Sequence, residues 1–124
     1  MKYLISLFIL AALPSLGSSN PSFTKEQTNR VMQFSNNHVS VWETVIYPSQ
    51  NHMLKMHRHD HDRVLVAFTD GLIKVTNDQG KVHYLKWVKN KAYYLPKDPP
   101  NERHSDTNVT NHPIKVVVIQ LLSS

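Results

Sequence analysis

Met56-His57-Arg58-His59-Asp60-His61-Asp62-Arg63 runs directly into a β-rich segment, Val64-Leu65-Val66-Ala67-Phe68. Three of the chain's eight histidines alternate in the first stretch, interleaved with two aspartates. In an extended backbone residues i and i+2 share a face, so His57 and His59 present two imidazoles side by side. Neutral imidazole suits zinc, copper, iron and nickel, and such a pair is one way to begin a metal site on a sheet. A solvated His-Asp turn has the same composition, so the meaning of the stretch depends on what the rest of the chain brings to it.

On both sides of it the chain reads as short strands. Val39, Val41, Glu43 and Val45 alternate with Ser40, Trp42, Thr44 and Ile46, the period of a strand. Tyr47-Pro48-Ser49-Gln50-Asn51 closes that strand with turn residues. His52 to His59 and Arg63 to Phe68 are the next two strands. Asp70-Gly71, between apolar runs, is a hairpin cue. Residues 72–76 and 81–87 flank Asn77-Asp78-Gln79-Gly80 as a further hairpin. Ala92-Tyr93-Tyr94-Leu95 is a short strand ended by Pro96. Lys97 to Glu102 is an irregular loop, and Arg103 to Thr107 a brief strand. Ile114 to Leu122 is the last strand and the most apolar, with the pattern of a central core strand. Closely spaced short strands joined by turn chemistry specify an all-β sandwich or barrel. Before them, Thr24 to Phe34 reads as a short helix or an extended lead-in.

Length and composition narrow the function classes. One domain accounts for the 124 residues. Lys and Arg number 14 against 9 Asp and Glu, but the basic residues are scattered with no block of like charge, so no nucleic-acid footprint is expected. There is no cysteine, which removes disulfides, thiolate zinc sites and a cysteine nucleophile. Any metal falls to His, Asp, Glu or Asn. Residues 1–19 carry Lys2, an apolar run from Tyr3 to Leu13 and a small-residue exit at Gly17-Ser18-Ser19, the layout of a secretory signal peptide. That apolar run is shorter than the ~20 residues needed to span a bilayer. The expected organisation is a signal peptide at 1–19, a lead-in at 20–36 and one β domain at 37–124. The expected location is the periplasm or the medium, with no membrane attachment after cleavage.

Among the remaining histidines His104 is the best partner for the pair. It follows the proline-rich loop and precedes Asn108 by four residues. His83 lies in an alternating strand, and His112 is held extended by Pro113. This set of features resembles the cupin superfamily, whose two motifs are approximately G-x5-H-x-H-x3,4-E-x6-G and G-x5-P-x-G-x2-H-x3-N. The first aligns from Asn51 through His57 and His59 to Gly71, the second from Asn90 past Pro96 to His104 and Asn108. The resemblance spans about residues 37 to 122. It implies a single cupin-type jelly-roll β-barrel, a double-stranded β-helix of short antiparallel strands. It also implies a metal site on His57, His59 and His104.

Asn51, Asn90 and Asn101 stand at glycine positions of the pattern, and asparagine is among the residues that best tolerate φ > 0. Pro96 and Pro99 compete for the second-motif proline. The family's glutamate ligand falls at Arg63 or Val64, and arginine cannot become a ligand. Three outcomes follow. The three histidines hold the ion alone, with open positions for water or substrate. Asp62 or His61 supplies a fourth ligand. Or the metal is lost, and Arg63 with Asn108 and the histidines forms a pocket for a carboxylate or phosphate. Met56, Leu65, Trp42, Trp87, Tyr93 and Tyr94 are available as pocket wall.

The expected function is binding of a divalent metal (Zn, Fe, Ni, Mn or Cu), a small organic anion, or both. One alternative is a metal-dependent isomerase, lyase or dioxygenase, since one scaffold hosts many chemistries. Another is periplasmic metal buffering by the surface His-Asp cluster. Monomer and homodimer are both compatible with the sequence.

Overall fold

The computed structural model describes residues 29–122. The stretch expected to be a signal peptide therefore lies outside the described residues. Nine strands form two sheets: β1 (Asn29–Ser35), β2 (Val39–Ile46), β3 (Leu54–His57), β4 (Arg63–Ala67), β5 (Gly71–Asn77), β6 (Val82–Trp87), β7 (Ala92–Leu95), β8 (His104–Asn108) and β9 (Ile114–Leu121). One sheet has the order β1-β2-β9-β4-β7 and the other β3-β8-β5-β6, with antiparallel pairing throughout. This is the expected all-β jelly roll. The sheets remain two facing layers and do not close into a continuous hydrogen-bonded barrel among the described residues; an isolated bridge, Pro48 to Asn108, links them at one end.

Alternation decides what each strand buries. Ile114, Val116 and Val118 sit at every second position of β9 and are almost inaccessible. As its apolar sequence requires, β9 is central, between β2 and β4. Trp42 and Ile46 of β2, Leu65 and Ala67 of β4, Ile73 and Val75 of β5, and Trp87 of β6 complete the core between the layers. Arg63 heads the same inward row as Leu65 and Ala67, which carries its cationic head between the sheets.

Three local readings change. The segment read as a helix or lead-in contains a strand: Asn29–Ser35 pairs with β2 from Asn29↔Val45 to Ser35↔Ser40. Its apolar residues Val31, Met32 and Phe34 are about half exposed. Pairing with β2 holds it as the edge strand of its sheet, whereas so short a helix with no buried face to pack would be marginal. Asp70-Gly71 is not a hairpin turn, because β4 and β5 belong to different sheets. Glycine is required there by a close approach: a Cβ on Gly71 would meet Ile114 side-chain atoms at 2.9–3.2 Å. The Asn77–Gly80 hairpin does form, with Gly80 at φ 80°. Of the three asparagines at glycine positions, Asn90 (φ 67°) and Asn101 (φ 62°) use the left-handed region; Asn51 does not, and Ser49 (φ 86°) takes that role nearby.

Candidate metal and ligand site

The site is assembled where β3 ends and β8 begins. His57 and His104 are register partners across the β3–β8 ladder, so their rings start on neighbouring strands. His59 lies two residues beyond β3, in a loop that needs its own anchor. The loop before β8 supplies it. Asp98 accepts from the His59 amide at 2.7 Å, and its own amide donates to the His59 carbonyl at 2.9 Å. Arg58 Nη1 donates to the Pro99 carbonyl at 2.5 Å. That loop is shaped by Pro99-Pro100-Asn101-Glu102. The Glu102 amide bonds the Pro99 carbonyl, with proline second and a positive-φ asparagine third, the pattern of a type II turn. Pro99 with Asn101 thus takes the place of the motif's P-x-G, and Pro96 only lines the cavity.

The imidazoles converge. One nitrogen from each of His57, His59 and His104 lies within 4.8 Å of the others, and His57 Nε2 is 3.0 Å from His59 Nε2. Asp106, two residues along β8 and on the same face as His104, brings Oδ2 to 3.4 Å from His57 Nε2 and 3.7 Å from His104 Nε2. The other ring nitrogens are committed. His57 Nδ1 is 2.5 Å from the Lys55 carbonyl, which only accepts, so Nδ1 carries a proton. His104 Nδ1 faces Asp98 Oδ2 at 3.4 Å, also an acceptor. In the neutral rings this tautomer leaves both Nε2 lone pairs turned toward a carboxylate oxygen, an arrangement that calls for a cation or a proton among them. Donors about 2.1 Å from a tetrahedral centre are about 3.4 Å apart, close to the 3.0 Å between His57 and His59 Nε2, and the set's 4.8 Å spread narrows to that by a small turn of the rings. Three histidines that could hold a metal ion, with a carboxylate beside them, therefore fit that group in donor chemistry and in spacing.

Burial and charge separate the three rings. Burial drives the His59 pKa down to about 2, with Arg63 and the two neighbouring histidines adding to it, so His59 stays neutral. Burial lowers His104 as well, against the opposing pull of Asp106 and Asp98. For His57 burial works downward, but the Asp106 and Lys55 hydrogen bonds and the two aspartate charges outweigh it and leave the pKa raised.

A cavity of about 660 Å³ opens from this cluster between the sheets. Trp42, Leu65, Met56 and Trp87 line it as the sequence indicated; Tyr93 and Tyr94 do not. Tyr93 turns its hydroxyl to the Val88 amide and Tyr94 bonds Asp62. Arg63 lines the cavity, 9% exposed, and its Nε has no hydrogen-bond partner among the described residues. Burial lowers its pKa, opposed by Asp98 and Asp106.

Other residues considered from the sequence fall outside the site. Asp62 accepts from Tyr94 and from the Lys97 amide, and those bonds lower its pKa; it pins the β7 end and does not join the three histidines. His61 is not part of the set either. Asn108 is not a pocket residue: it is wholly buried, donating to the Ile46 and His112 carbonyls and accepting from the Thr110 amide and hydroxyl. Asp98, Asp106 and Arg30 were missed. Asp106 was accessible as the i+2 neighbour of His104 in an expected strand. Asp98 and Arg30 reach the site only through tertiary contacts.

No protein-family model matches the chain, and no curated protein matches it. Solved structures do. A cupin domain from Bordetella pertussis aligns at TM-score 0.67 and 22% identity, covering 78% of this chain and 95% of that one. A double-stranded β-helix protein from Klebsiella pneumoniae aligns at 0.57 and 18%, covering 79% of each chain. An RmlC-like cupin family protein from Methanocaldococcus jannaschii aligns at 0.54 and 16%, covering 80% of this chain and 85% of that one. At these identities the likeness establishes the cupin double-stranded β-helix fold.

Proposed function

We propose that this cupin-fold chain is an exported binding protein that holds a divalent metal ion on His57, His59 and His104 and a small organic anion beside it on Arg63. The observation that carries the reading is the convergence of three imidazole nitrogens and the Asp106 carboxylate at the end of one cavity. Zinc, iron, nickel, manganese and copper all accept imidazole and carboxylate donors, so the donor set fixes the class and not the element. Export rests on the pattern of residues 1–19.

Each residue has a role in holding the guest. The Lys55 carbonyl fixes the His57 tautomer and Asp98 the position of the His59 backbone, so the rings are aimed before anything binds. Asp106 offsets cationic charge between His57 and His104. Arg63 holds its fork within the cavity, where a carboxylate can meet it with two parallel hydrogen bonds. A bound divalent ion would add Lewis acidity and an open coordination position. A surface metal buffer is less well supported, because the converging set draws on two strands and a loop and leaves out His61.

The test is metal analysis of protein purified without a histidine tag, before and after reloading, beside a His57→Ala/His104→Ala variant. We expect about one equivalent in the native protein and none in the variant. Native protein that takes up no metal on reloading would end the metal part of the reading.

A further inference from the structure

We propose that the anion this cavity accepts is a carboxylate on a compact apolar body, gripped by Arg63 and Arg30 and seated against Trp42 and Trp87. The inference rests on the binding-pocket reading above and names its ligand class.

Four observations lead to it. Arg63 is nine-tenths buried, sits in the inward row of β4, and its Nε lacks a hydrogen-bond partner among the described residues. Among the described residues no carboxylate is in ion-pair contact with it, although Asp98 and Asp106 line the same cavity. A buried guanidinium N–H is rarely left without an acceptor, and Arg63 lines the cavity, where a guest can supply one. A second cation comes from the strand the sequence did not disclose: Arg30 of β1 lines the cavity with its guanidinium 4.0 Å from the Trp42 ring centroid. That cation–π contact holds the guanidinium against the cavity wall.

Charge balance points the same way. The cavity's cations Arg30, Lys55 and Arg63 match its carboxylates Asp98, Glu102 and Asp106, so a divalent ion on the histidines leaves a positive excess that an anionic guest completes. The remaining wall decides the body. Trp42, Leu65, Ile73, Trp87 and Val116 are buried core residues that also face the cavity, and apart from one indole N–H on each tryptophan they carry no hydrogen-bonding group for a sugar or an inorganic oxyanion. One charged end and an apolar remainder describe an aromatic or short aliphatic carboxylate.

The two tryptophans are the only ones in the chain, and both line the cavity, so intrinsic fluorescence reports directly on it. Purified protein is titrated with benzoate, cyclohexanecarboxylate and hexanoate, and with benzamide (same body, no charge) and inorganic phosphate (charge, no body). We expect saturable binding of at least one carboxylate, with benzamide and phosphate weaker by about tenfold or more. Arg63→Gln should cost about tenfold or more and Arg30→Gln less, because Arg30 is at the more exposed end. Arg63→Lys, which keeps the charge but loses the fork, covers the case that the glutamine variant does not fold and should also weaken binding. The proposal is overturned if no carboxylate saturates the signal, if benzamide or phosphate binds as well as benzoate, or if the folded Arg63 variant binds unchanged. Each titration is repeated on chelator-treated protein and on His57→Ala/His104→Ala. Arginine-dependent carboxylate binding that survives there separates the anion site from the metal reading, and metal uptake without carboxylate binding sinks this inference alone.

Discussion

Strand β8 carries a motif residue at each end, and the two are used in opposite ways. Asn108 spends every side-chain hydrogen bond on the protein, with two carbonyls accepting from Nδ2 and an amide and a hydroxyl donating to Oδ1, all at 2.7–2.8 Å. It is fully buried, and it ties the end of β2 to the turn before β9. Four residues earlier His104 looks into the cavity, with Nδ1 facing Asp98 and Nε2 facing Asp106 and the other two imidazoles. Asn108 is satisfied by the fold; His104 is positioned by the fold and completed by something else. A motif residue's presence therefore does not give its role. Saturation of its hydrogen bonds does.

The largest effect expected from this contrast is on stability. Asn108→Ala takes the partner from the Ile46 carbonyl and the Thr110 amide, while the Thr110 hydroxyl and the His112 carbonyl keep each other, and should cost about 3 kcal/mol in urea unfolding, whereas His104→Ala in metal-free protein should cost less than about 1 kcal/mol. Equal losses would erase the distinction. A smaller effect should come from Asp106→Asn, which keeps the shape but removes the charge between His57 and His104. Metal affinity measured by competition with a chromophoric chelator should fall about 10- to 100-fold, with unfolding midpoints little changed.

The subtlest difference is in pH. A metal must displace the proton from His57, whose pKa is raised, so affinity should strengthen as pH rises through that value. Below it, affinity should fall by about tenfold per unit for each proton displaced. His59, held near 2, contributes nothing to that slope. Asp106→Asn removes the leading upward influence on His57 and should move the dependence to lower pH; a profile that stays in place would show that Asp106 does not govern His57.

How much of this was readable in advance follows the physics of each element. Two-residue alternation located β2 and β7 to the residue and the other predicted strands to within a few residues, because inward and outward faces differ chemically. The pairing of His57 and His59 with His104 was legible from motif order. The cation standing in the glutamate's place was also legible, and Arg63 does point between the sheets. The carboxylates near the rings were not found, because Asp106 sits on β8 and Asp98 in the loop before it, away from the motif's glutamate position. Gly71 was misread because its glycine serves packing against Ile114, a tertiary demand that local turn rules do not see. β1 stays open between a helix and an extended lead-in at the level of sequence, because Val31, Met32 and Phe34 follow no two-residue alternation.

The most direct test of the account is a crystal structure of metal-loaded protein with anomalous data collected above and below the metal's absorption edge. The account predicts one strong peak between His57, His59 and His104, with Asp106 the nearest carboxylate. A peak on the surface at His61 and Asp60, or none inside the cavity, would contradict it.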